Sequence, residues 1–358
     1  MADHLLFQPL SLQNIIIPNR IVVSPMCQYS AIDGFANDWH LVHLGQFAIG
    51  RAGAIIQEAT AVSPEGRISY GDLGIWDDQH IKKYSQITSF IKSQGSIPGI
   101  QLAHAGRKAS TDLPWISRKQ FTPEEINGWQ TLSSSDLPYH TADIPPLALT
   151  ISEIEQVIEQ FKTAAIRATK AGYQIIEIHA AHGYLLHQFL SPLINNRDDQ
   201  YGNSFENRIR IVLEIVTAIK KVLKVDQSLW IRLSATDWAE GGWDLEQTTA
   251  LVSILKEIGV EVVDVSSGGA VPTQKIPVGP GYQVPFADHI KRETQMCTGT
   301  VGLISTAKQA HDILSREAAD FILIGREFLR HPHLPYSWAR DLGISINWAP
   351  QYERAKAE

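Results

Sequence analysis

The stretch IIEIHAAHGYLL, residues 175–186, joins a short apolar run to two histidines, a glycine and a tyrosine. Two imidazoles and a phenol are unusual at the end of a buried strand, because a polar ring that is removed from water needs a hydrogen-bond partner. His179 and His182 are three residues apart, so they do not share a face of a regular strand. We therefore predict that the chain bends after Ala180, helped by Gly183, and that both ring N–H groups meet one acceptor.

Other interpretations of this cluster stay open from the residues alone. Histidine pairs also bind metal ions, but a third ligand is needed, and neither an adjacent carboxylate nor an HxxxE spacing supplies one. Tyr184 has the chemistry of a general acid for a carbanion formed nearby. An aromatic ring packed at the rim of the fold explains this tyrosine equally well.

The stretch is one of a series of short apolar runs, most of them continuous rather than alternating, as in strands of a parallel sheet covered by helices. Amphipathic segments separate the runs, for example 77–94, which ends at Gly95, and 150–171, which opens with a Thr150–Glu153 capping box. The predicted strands are IVVSPM (21–26), AIIQEA (54–59), IPGIQLAH (97–104), YQIIEIHA (173–180), LWIRLSA (229–235), VEVVDVSS (260–267), TVGLIS (300–305) and DFILIG (320–325).

Eight strands alternating with about eight helices predict an α/β fold, a (β/α)8 TIM barrel forming one domain over residues 1–358. Two short apolar runs within residues 5–20 predict an N-terminal hairpin that closes one end. The proline-rich segment 105–149 predicts a long excursion after strand 3, a flap over the barrel mouth. A doubly wound sheet is the structural alternative, but SPMCQYS stands where its GxGxxG fingerprint should follow the first strand.

Composition excludes several classes of protein. With 44% hydrophobic and 19% charged residues, the chain of 358 residues can bury a large core. Its net charge of −7 argues against nucleic acid as a partner. Its two cysteines, with no CxxC pair, exclude a disulfide scaffold, a cysteine-ligated zinc site and an iron–sulfur cluster. The absence of a signal-peptide pattern and of a long apolar run predicts a soluble cytoplasmic protein without a membrane partner.

The strand ends carry the candidate site, because reactive residues of such barrels gather at the C-terminal face. Gly302, Gly325 and Arg326 near the ends of strands 7 and 8 suit a phosphate, since glycine backbones allow close approach and arginine binds in a bidentate way. The alternative is that these glycines serve only to form turns. Arg232 inside an apolar strand needs either an anionic or electron-rich ligand or an internal salt bridge, and both remain open.

With these motifs the chain resembles the old yellow enzyme family of FMN-dependent ene-reductases, in the branch with a cysteine in the first-strand motif. The resemblance covers nearly the whole chain, and its most specific part is HAAHGYLLHQFLSP followed by N, R, D, YG, S and ENR. The matching segments are LFQPLSLQNIIIPNRIVVSPMCQYSA, DWHLVHLGQFAIGRAGAIIQEATAVSPEGRI, QLAHAGRK, IHAAHGYLLHQFLSPLINNRDDQYGNSFENR, VGLIS, ILIGREFLR and QYER.

The resemblance implies non-covalent FMN across the barrel mouth and NADPH as the reductant. It implies that His179 and His182 bind a carbonyl or nitro oxygen of an enone or nitro substrate, that Tyr184 gives the proton, and that Tyr29 helps bind substrate. Lys108 would lie near the flavin edge, and Cys27 would both contact ligand and tune the flavin. The cofactor-binding residues implied in this way are Ser24, Pro25, Met26, Cys27, Ala59, Gln101, Arg232, Gly268, Gly269, Gly302, Gly325 and Arg326.

The resemblance also implies a homodimer or homotetramer, in which Arg354 of the tail at 343–358 reaches a neighbouring subunit's site. A dienoyl-CoA-reductase-like flavoprotein is disfavoured, because the iron–sulfur cysteines and an appended dinucleotide domain are absent from the sequence. A non-redox phosphate-binding barrel, a lyase or a ligand-binding module, is the alternative from another class. A Schiff-base lysine at a strand tip would favour a lyase, and none of the predicted strands ends in lysine.

Overall fold

Eight parallel strands close into a barrel, in which the last barrel strand pairs with the first. The structure is a computed structural model that describes residues 5–13 and 15–356. The strands within these residues are β1 (Leu10–Ser11), β2 (Ile16–Ile17), β3 (Ile21–Val23), β4 (Ala54–Ala61), β5 (Ile97–Ala103), β6 (Leu132–Ser133), β7 (Leu147–Ala148), β8 (Ile175–Ala180), β9 (Ser228–Ser234), β10 (Val262–Ser266), β11 (Cys297–Thr300) and β12 (Phe321–Ile324). The barrel runs β3-β4-β5-β8-β9-β10-β11-β12 and confirms the predicted TIM barrel over the doubly wound sheet.

Helices pack around the barrel between consecutive strands. The predicted capping box of α3 is present, with the backbone N–H of Glu153 donating to Thr150 Oγ1 and the helix ending at Gly172, whose φ is 94°. The helices are α1 (Asp38–Ile49), α2 (Ile81–Ser93), α3 (Ile151–Ala171), α4 (Leu185–Leu190), α5 (Phe205–Lys220), α6 (Leu245–Glu257), α7 (Val284–Thr294), α8 (Ala307–Ser315), α9 (Arg326–Arg330) and α10 (Leu334–Asp341). The short helices α4 and α9 follow β8 and β12 directly and had no separate periodic signal.

The seventh predicted strand was placed wrongly. We expected TVGLIS (300–305), whereas β11 is Cys297–Thr300, the segment CTGT, which pairs with Val262–Val265 of β10 and with Phe321–Ile322 of β12. Backbone hydrogen bonds to the two neighbouring strands determine which residues form β11. A polar segment is accepted there because the strand position, and not its own side chains, sets the pairing. The apolar residues 301–305 instead form a loop at the barrel mouth, with Gly302 at a φ of 127°.

The predicted N-terminal hairpin is present. β1 and β2 pair antiparallel, with Leu10 opposite Ile17, while Asn14 in the connection lies outside the described residues. Ile15 and Ile17 pack with residues from the beginnings of the barrel strands, among them Ala54, Ile175 and Val262. The hairpin therefore covers the N-terminal end of the barrel and leaves the C-terminal end for chemistry.

The excursion after β5 is mostly irregular, apart from a 3-10 turn at Gly106–Lys108 and the parallel pair β6–β7. The single domain was predicted over residues 1–358, of which residues 1–4, 14, 357 and 358 lie outside the described part, and the tail predicted at 343–358 is described as far as residue 356. Within the described ranges, none of the helices combines the length and the apolar character needed to cross a membrane.

Candidate active site

The bend predicted after β8 is present, and hydrogen bonds from its backbone N–H groups to two side chains fix it. β8 ends at Ala180, and His182 and Gly183 follow with φ values of 59° and 72°. The N–H of His182 donates to Ser234 Oγ at 2.9 Å, and the N–H of Gly183 donates to His187 Nδ1 at 2.8 Å. A Cβ at Gly183 would lie 2.0 Å from the carbonyl oxygen of Gly269, so this position requires glycine.

The bend brings three aromatic rings together. The ring centroid of His179 lies 5.2 Å from that of His182 and 4.9 Å from that of Tyr184, both in edge-on geometry. Burial lowers the pKa of both histidines well below its ordinary value, and the neighbouring cations Arg232 and Lys108 lower it further, so both rings are neutral at neutral pH. Burial likewise raises the pKa of Tyr184, whose phenol therefore keeps its proton.

Each histidine has one ring nitrogen held by the protein. The N–H of Ala181 donates to His179 Nδ1 at 3.3 Å, which leaves the proton of the neutral ring on Nε2. His182 Nε2 lies 2.7 Å from Ser266 Oγ, and when this hydroxyl donates, the proton of the ring is on Nδ1. Both rings can then offer one N–H donor to a ligand oxygen. Among the residues described, no group of three or more His, Cys, Asp or Glu is arranged to hold a metal ion.

Lys108 supports this loop from the excursion side. Its ammonium donates to the carbonyl oxygens of His182 at 2.9 Å and Gly269 at 3.3 Å, and lies 5.1 Å from the ring centroid of Tyr184. Burial, followed by repulsion from Arg107, lowers the pKa of Lys108 to about 8. A cavity of about 480 Å³, the tyrosine-lined cavity, opens beside it and is bordered by Tyr29, Lys108, Tyr139 and Tyr184 among others.

A second cavity of about 340 Å³, the glycine-lined cavity, lies where the ends of β11, β12 and β3 meet. Its lining includes His182 and Arg232 together with Met26, Gly302, Gly325 and Arg326. Among the described residues, the guanidinium of Arg326 forms no ion pair with a carboxylate. A Cβ at Gly302 would lie 3.1 Å from Gln283 Nε2, so the glycine keeps the wall of the cavity open. A free cation beside glycine backbone suits an anionic group.

Arg232 has a salt-bridge partner and still borders the glycine-lined cavity. Its Nε donates to Asp264, and its Nη2 donates to Ser24 Oγ at 2.7 Å. Burial alone would lower the pKa of this arginine, but Asp264 and Glu177 outweigh burial and raise it. The internal salt bridge is thus present. Because Arg232 also lines the glycine-lined cavity, a ligand there can still contact it.

The loop after β3 supplies further predicted residues. Ser24 donates its backbone N–H to Ile324 of β12 at 3.0 Å, which sets the loop across the closing pair of strands. Cys27 is half-buried, and burial, then Asp72 and Glu58, raise the pKa of its thiol well above the ordinary value, so it is not a thiolate. Tyr29, at a φ of 49°, borders the tyrosine-lined cavity.

Some predicted residues lie elsewhere. Gly268 and Gly269 do not border the glycine-lined cavity. A Cβ at Gly269 would lie 2.4 Å from the carbonyl carbon of His182, whereas a Cβ at Gly268 would lie 2.7 Å from Gln274 Oε1. Gly269 therefore supports the His182 bend, and the role of both glycines in binding the cofactor stays a prediction. Arg354 is exposed in a 3-10 helix at Pro350–Ala355, away from both cavities of its own chain, and its reach into a neighbouring subunit stays a prediction.

Four residues at the site had been given no role from the sequence. Ser266 bonds His182, Asp264 bonds Arg232, Glu177 bonds Gln101, and Tyr139 faces the site from the excursion. Asp264 and Glu177 carried a usable signal, because each is an acidic residue inside an apolar strand, as unusual there as Arg232. Tyr139 carried none, since it lies in an irregular segment.

The sequence profile of the NADH:flavin oxidoreductase / NADH oxidase family matches residues 5–342. The chain belongs to that family. It is 45% identical over 351 residues to an NADPH dehydrogenase of Geobacillus thermodenitrificans (strain NG80-2), with 98% of each chain covered. Family membership confirms the predicted family, the oxidoreductase class and a flavin as cofactor, and it removes the non-redox alternative.

Solved structures of other proteins share the barrel of this family member. Morphinone reductase in complex with tetrahydroNAD is 28% identical and superposes with a TM-score of 0.79, covering 97% of this chain and 93% of that one. A 2-naphthoyl-CoA reductase superposes with a TM-score of 0.85 at 21% identity, covering 95% of this chain and 52% of that one, and so supports the fold alone.

Proposed function

We propose that this protein is an FMN-dependent NADPH oxidoreductase that reduces the C=C bond of α,β-unsaturated carbonyl compounds and related nitro compounds. The observation that carries the proposal is the cluster of His179, His182 and Tyr184, in which two neutral histidines and a protonated phenol meet between two cavities. Relatives that are 45% identical are NADPH dehydrogenases, which supports NADPH as the reductant.

The glycine-lined cavity fits the phosphate of FMN. Arg326 would supply the charge, and the backbone of Gly302 and Gly325 would approach the phosphate oxygens. Arg232 would face the electron-rich end of the flavin ring. The ring would lie along the strand ends against Ser24, Pro25, Met26, Cys27, Ala59 and Gln101.

FMN supplies hydride chemistry when bound, and the chain supplies position and charge. His179 and His182 would donate to the carbonyl or nitro oxygen of the substrate, where negative charge grows during reduction. Donors of this kind contribute roughly 2.7–4 kcal/mol each. Tyr184 would give its proton to the carbon next to the polarised group, which its raised pKa permits, since the carbanion formed there is the stronger base.

Tyr29 and Cys27 would contact the substrate from the loop after β3, and segment 105–149 would act as a flap through Tyr139. NADPH would use the same mouth as the substrate, in alternation. We further propose a cytoplasmic homodimer or homotetramer, in which Arg354 enters the neighbouring site.

Purification tests the proposal directly. The protein should be yellow, release FMN on denaturation and oxidise NADPH faster than NADH in the presence of 2-cyclohexenone. A colourless protein that does not bind added FMN would overturn the proposal. The double variant His179→Ala, His182→Ala should lose the charge-transfer band that a phenol ligand forms with the flavin, and retained phenol affinity would contradict the oxygen-binding role.

A further inference from the structure

Among the described residues of the barrel interior below the site, Glu177 is a buried carboxyl group that forms no ion pair with a cation. Arg232 and Asp264 are register partners on β9 and β10 and form an ion pair. Glu177 and Gln101 are register partners on β8 and β5, where Gln101 Nε2 donates to Glu177 Oε1 at 2.8 Å. Glu177 is wholly buried, and its Oε2 has no hydrogen-bond partner among the described residues. Its direct partner is therefore a neutral amide, not a cation.

A buried carboxylate without a cation of its own keeps a proton, because burial penalises its charged form. Burial first, and then the charge of Asp264, raise the pKa of Glu177 to about 8, against the opposing effects of Arg232 and the amide of Gln101. Burial also raises the pKa of Asp264, but its contact with Arg232 opposes that rise. Glu177 is thus the group in this cluster whose charge changes most easily near neutral pH.

The position of Glu177 connects it to the flavin site. Glu177 and His179 are two residues apart on β8, so both side chains lie on the face that points into the barrel. His179 is the register partner of Arg232. Arg232 borders the glycine-lined cavity and contacts Ser24. A negative charge that appears in this cavity therefore acts on Glu177 across one layer of side chains.

We propose that Glu177 is a positioning and proton-accepting residue of the flavin site, which orients the amide of Gln101 and takes up a proton when the bound flavin is reduced. The inference rests on the proposed FMN function. A hydride from NADPH adds two electrons and one proton to the flavin, so the net charge of the flavin falls by one. Near the pH at which Glu177 ionises, the added negative charge raises the proton affinity of its carboxylate, which then takes a proton from solvent to become the neutral acid. Below that pH it is already neutral and takes none.

The test is the reduction midpoint potential of the bound FMN, titrated with redox dyes between about pH 6.5 and about pH 9.5. Near the lower limit, wild type and Glu177→Gln should match, because both side chains are neutral. Near the upper limit, the wild-type carboxylate opposes reduction, so at a fixed applied potential the ratio of reduced to oxidised flavin should be several-fold higher in E177Q. Equal potentials over the whole range would overturn the role of Glu177.

A control and a second measurement make the result specific. Glu261 is a half-buried carboxyl at the N-terminal end of β10, bonded to Ser228 at 3.0 Å, and burial raises its pKa too. Glu261→Gln should leave the potential at every pH unchanged, and an equal shift in this variant would overturn the proposal.

Proton uptake during reduction in weak buffer is the second measurement. In the wild type it should be larger near about pH 8.5 than near about pH 6.5, and equal uptake would contradict the proposal. Most of this increase should be lost in E177Q, whereas an increase that came from Lys108, whose pKa is also about 8, would persist in that variant. A wild type that binds no FMN would overturn the proposed function itself, whereas FMN binding without this linkage overturns only the inference.

Discussion

At the scale of single residues, the site depends on rings whose protonation the fold has already set. Burial keeps His179 and His182 neutral and Tyr184 protonated. Neutral imidazoles that each present one N–H can stabilise negative charge on a substrate oxygen by hydrogen bonding, without exchanging protons with solvent. In the proposed reaction, the phenol of Tyr184 would supply the proton needed for the second half-reaction.

Tyr184→Phe tests that division of labour. The variant should slow reoxidation of the reduced enzyme by 2-cyclohexenone about 100-fold or more, a usual contribution of a positioned acid. Reduction by NADPH should be nearly unchanged, because that step needs no proton from this residue. Stopped-flow absorbance of the flavin separates the two half-reactions, and a large loss in the reductive step would contradict the proton-donor role.

The sequence predicted the site residues where their type is unusual for their surroundings. His179, His182 and Arg232 stand out because polar groups at buried strand positions need a reason. The pairing of Arg232 with Asp264 and of Gln101 with Glu177 could not be predicted, since it depends on the register between strands. The neighbours of Gly268 and Gly269 could not be predicted for a related reason: a glycine indicates that the backbone approaches another group closely, but not which group.

At the scale of elements, the turn after β8 is as important as the strand. Gly183→Ala should cost about 1–2 kcal/mol for the left-handed backbone and more for the contact with Gly269. Gly241→Ala is the matched control, because its φ is 74° but the nearest atom to a Cβ there lies 4.0 Å away. In thermal unfolding, the midpoint temperature should fall further for Gly183→Ala than for Gly241→Ala, and equal decreases would contradict the packing argument.

Arg107 is one of the buried side chains that tie the excursion to the rest of the fold. Arg107 donates to the carbonyl oxygens of Leu137 at 3.0 Å, Pro138 at 3.1 Å and Ala270 at 2.8 Å. Arg107→Gln should therefore raise hydrogen exchange and proteolysis within residues 134–144 several-fold. Arg118→Gln, at an exposed arginine bonded to Pro114, should change neither rate. Unaltered protection in the first variant would show that other contacts hold the segment.

The barrel strands were predictable because both of their faces are buried, which makes their sequences continuously apolar. β11 is the exception: its polar segment CTGT is a strand because β10 and β12 pair with it. The excursion could be predicted as long and irregular, but its route depends on contacts such as those of Arg107 and Ser134, whose partners are far away in the sequence.

At the scale of the whole molecule, the proposed flavin site straddles the pair of strands that closes the barrel. Met26 follows β3 and Gly325 follows β12, and both border the same cavity. Removal of FMN should lower the free energy of unfolding, by about 2.7 kcal/mol relative to protein with free FMN at 100 times its Kd. Hydrogen exchange should rise most at residues 21–26 and 321–326 and least in α3, and a uniform rise would contradict a local effect.

The pairing of β12 with β3 also has a consequence for biosynthesis. About 300 residues separate the two strands, so at roughly 5–20 residues per second the ribosome leaves β3 without its closing partner for about 15–60 s. An unpaired strand edge is a template for aggregation, and nascent chains on neighbouring ribosomes are close together. β3 is only three residues long, Ile21–Val23, and so offers few free backbone groups during that interval. The shortness of the first barrel strand thus protects the growing chain.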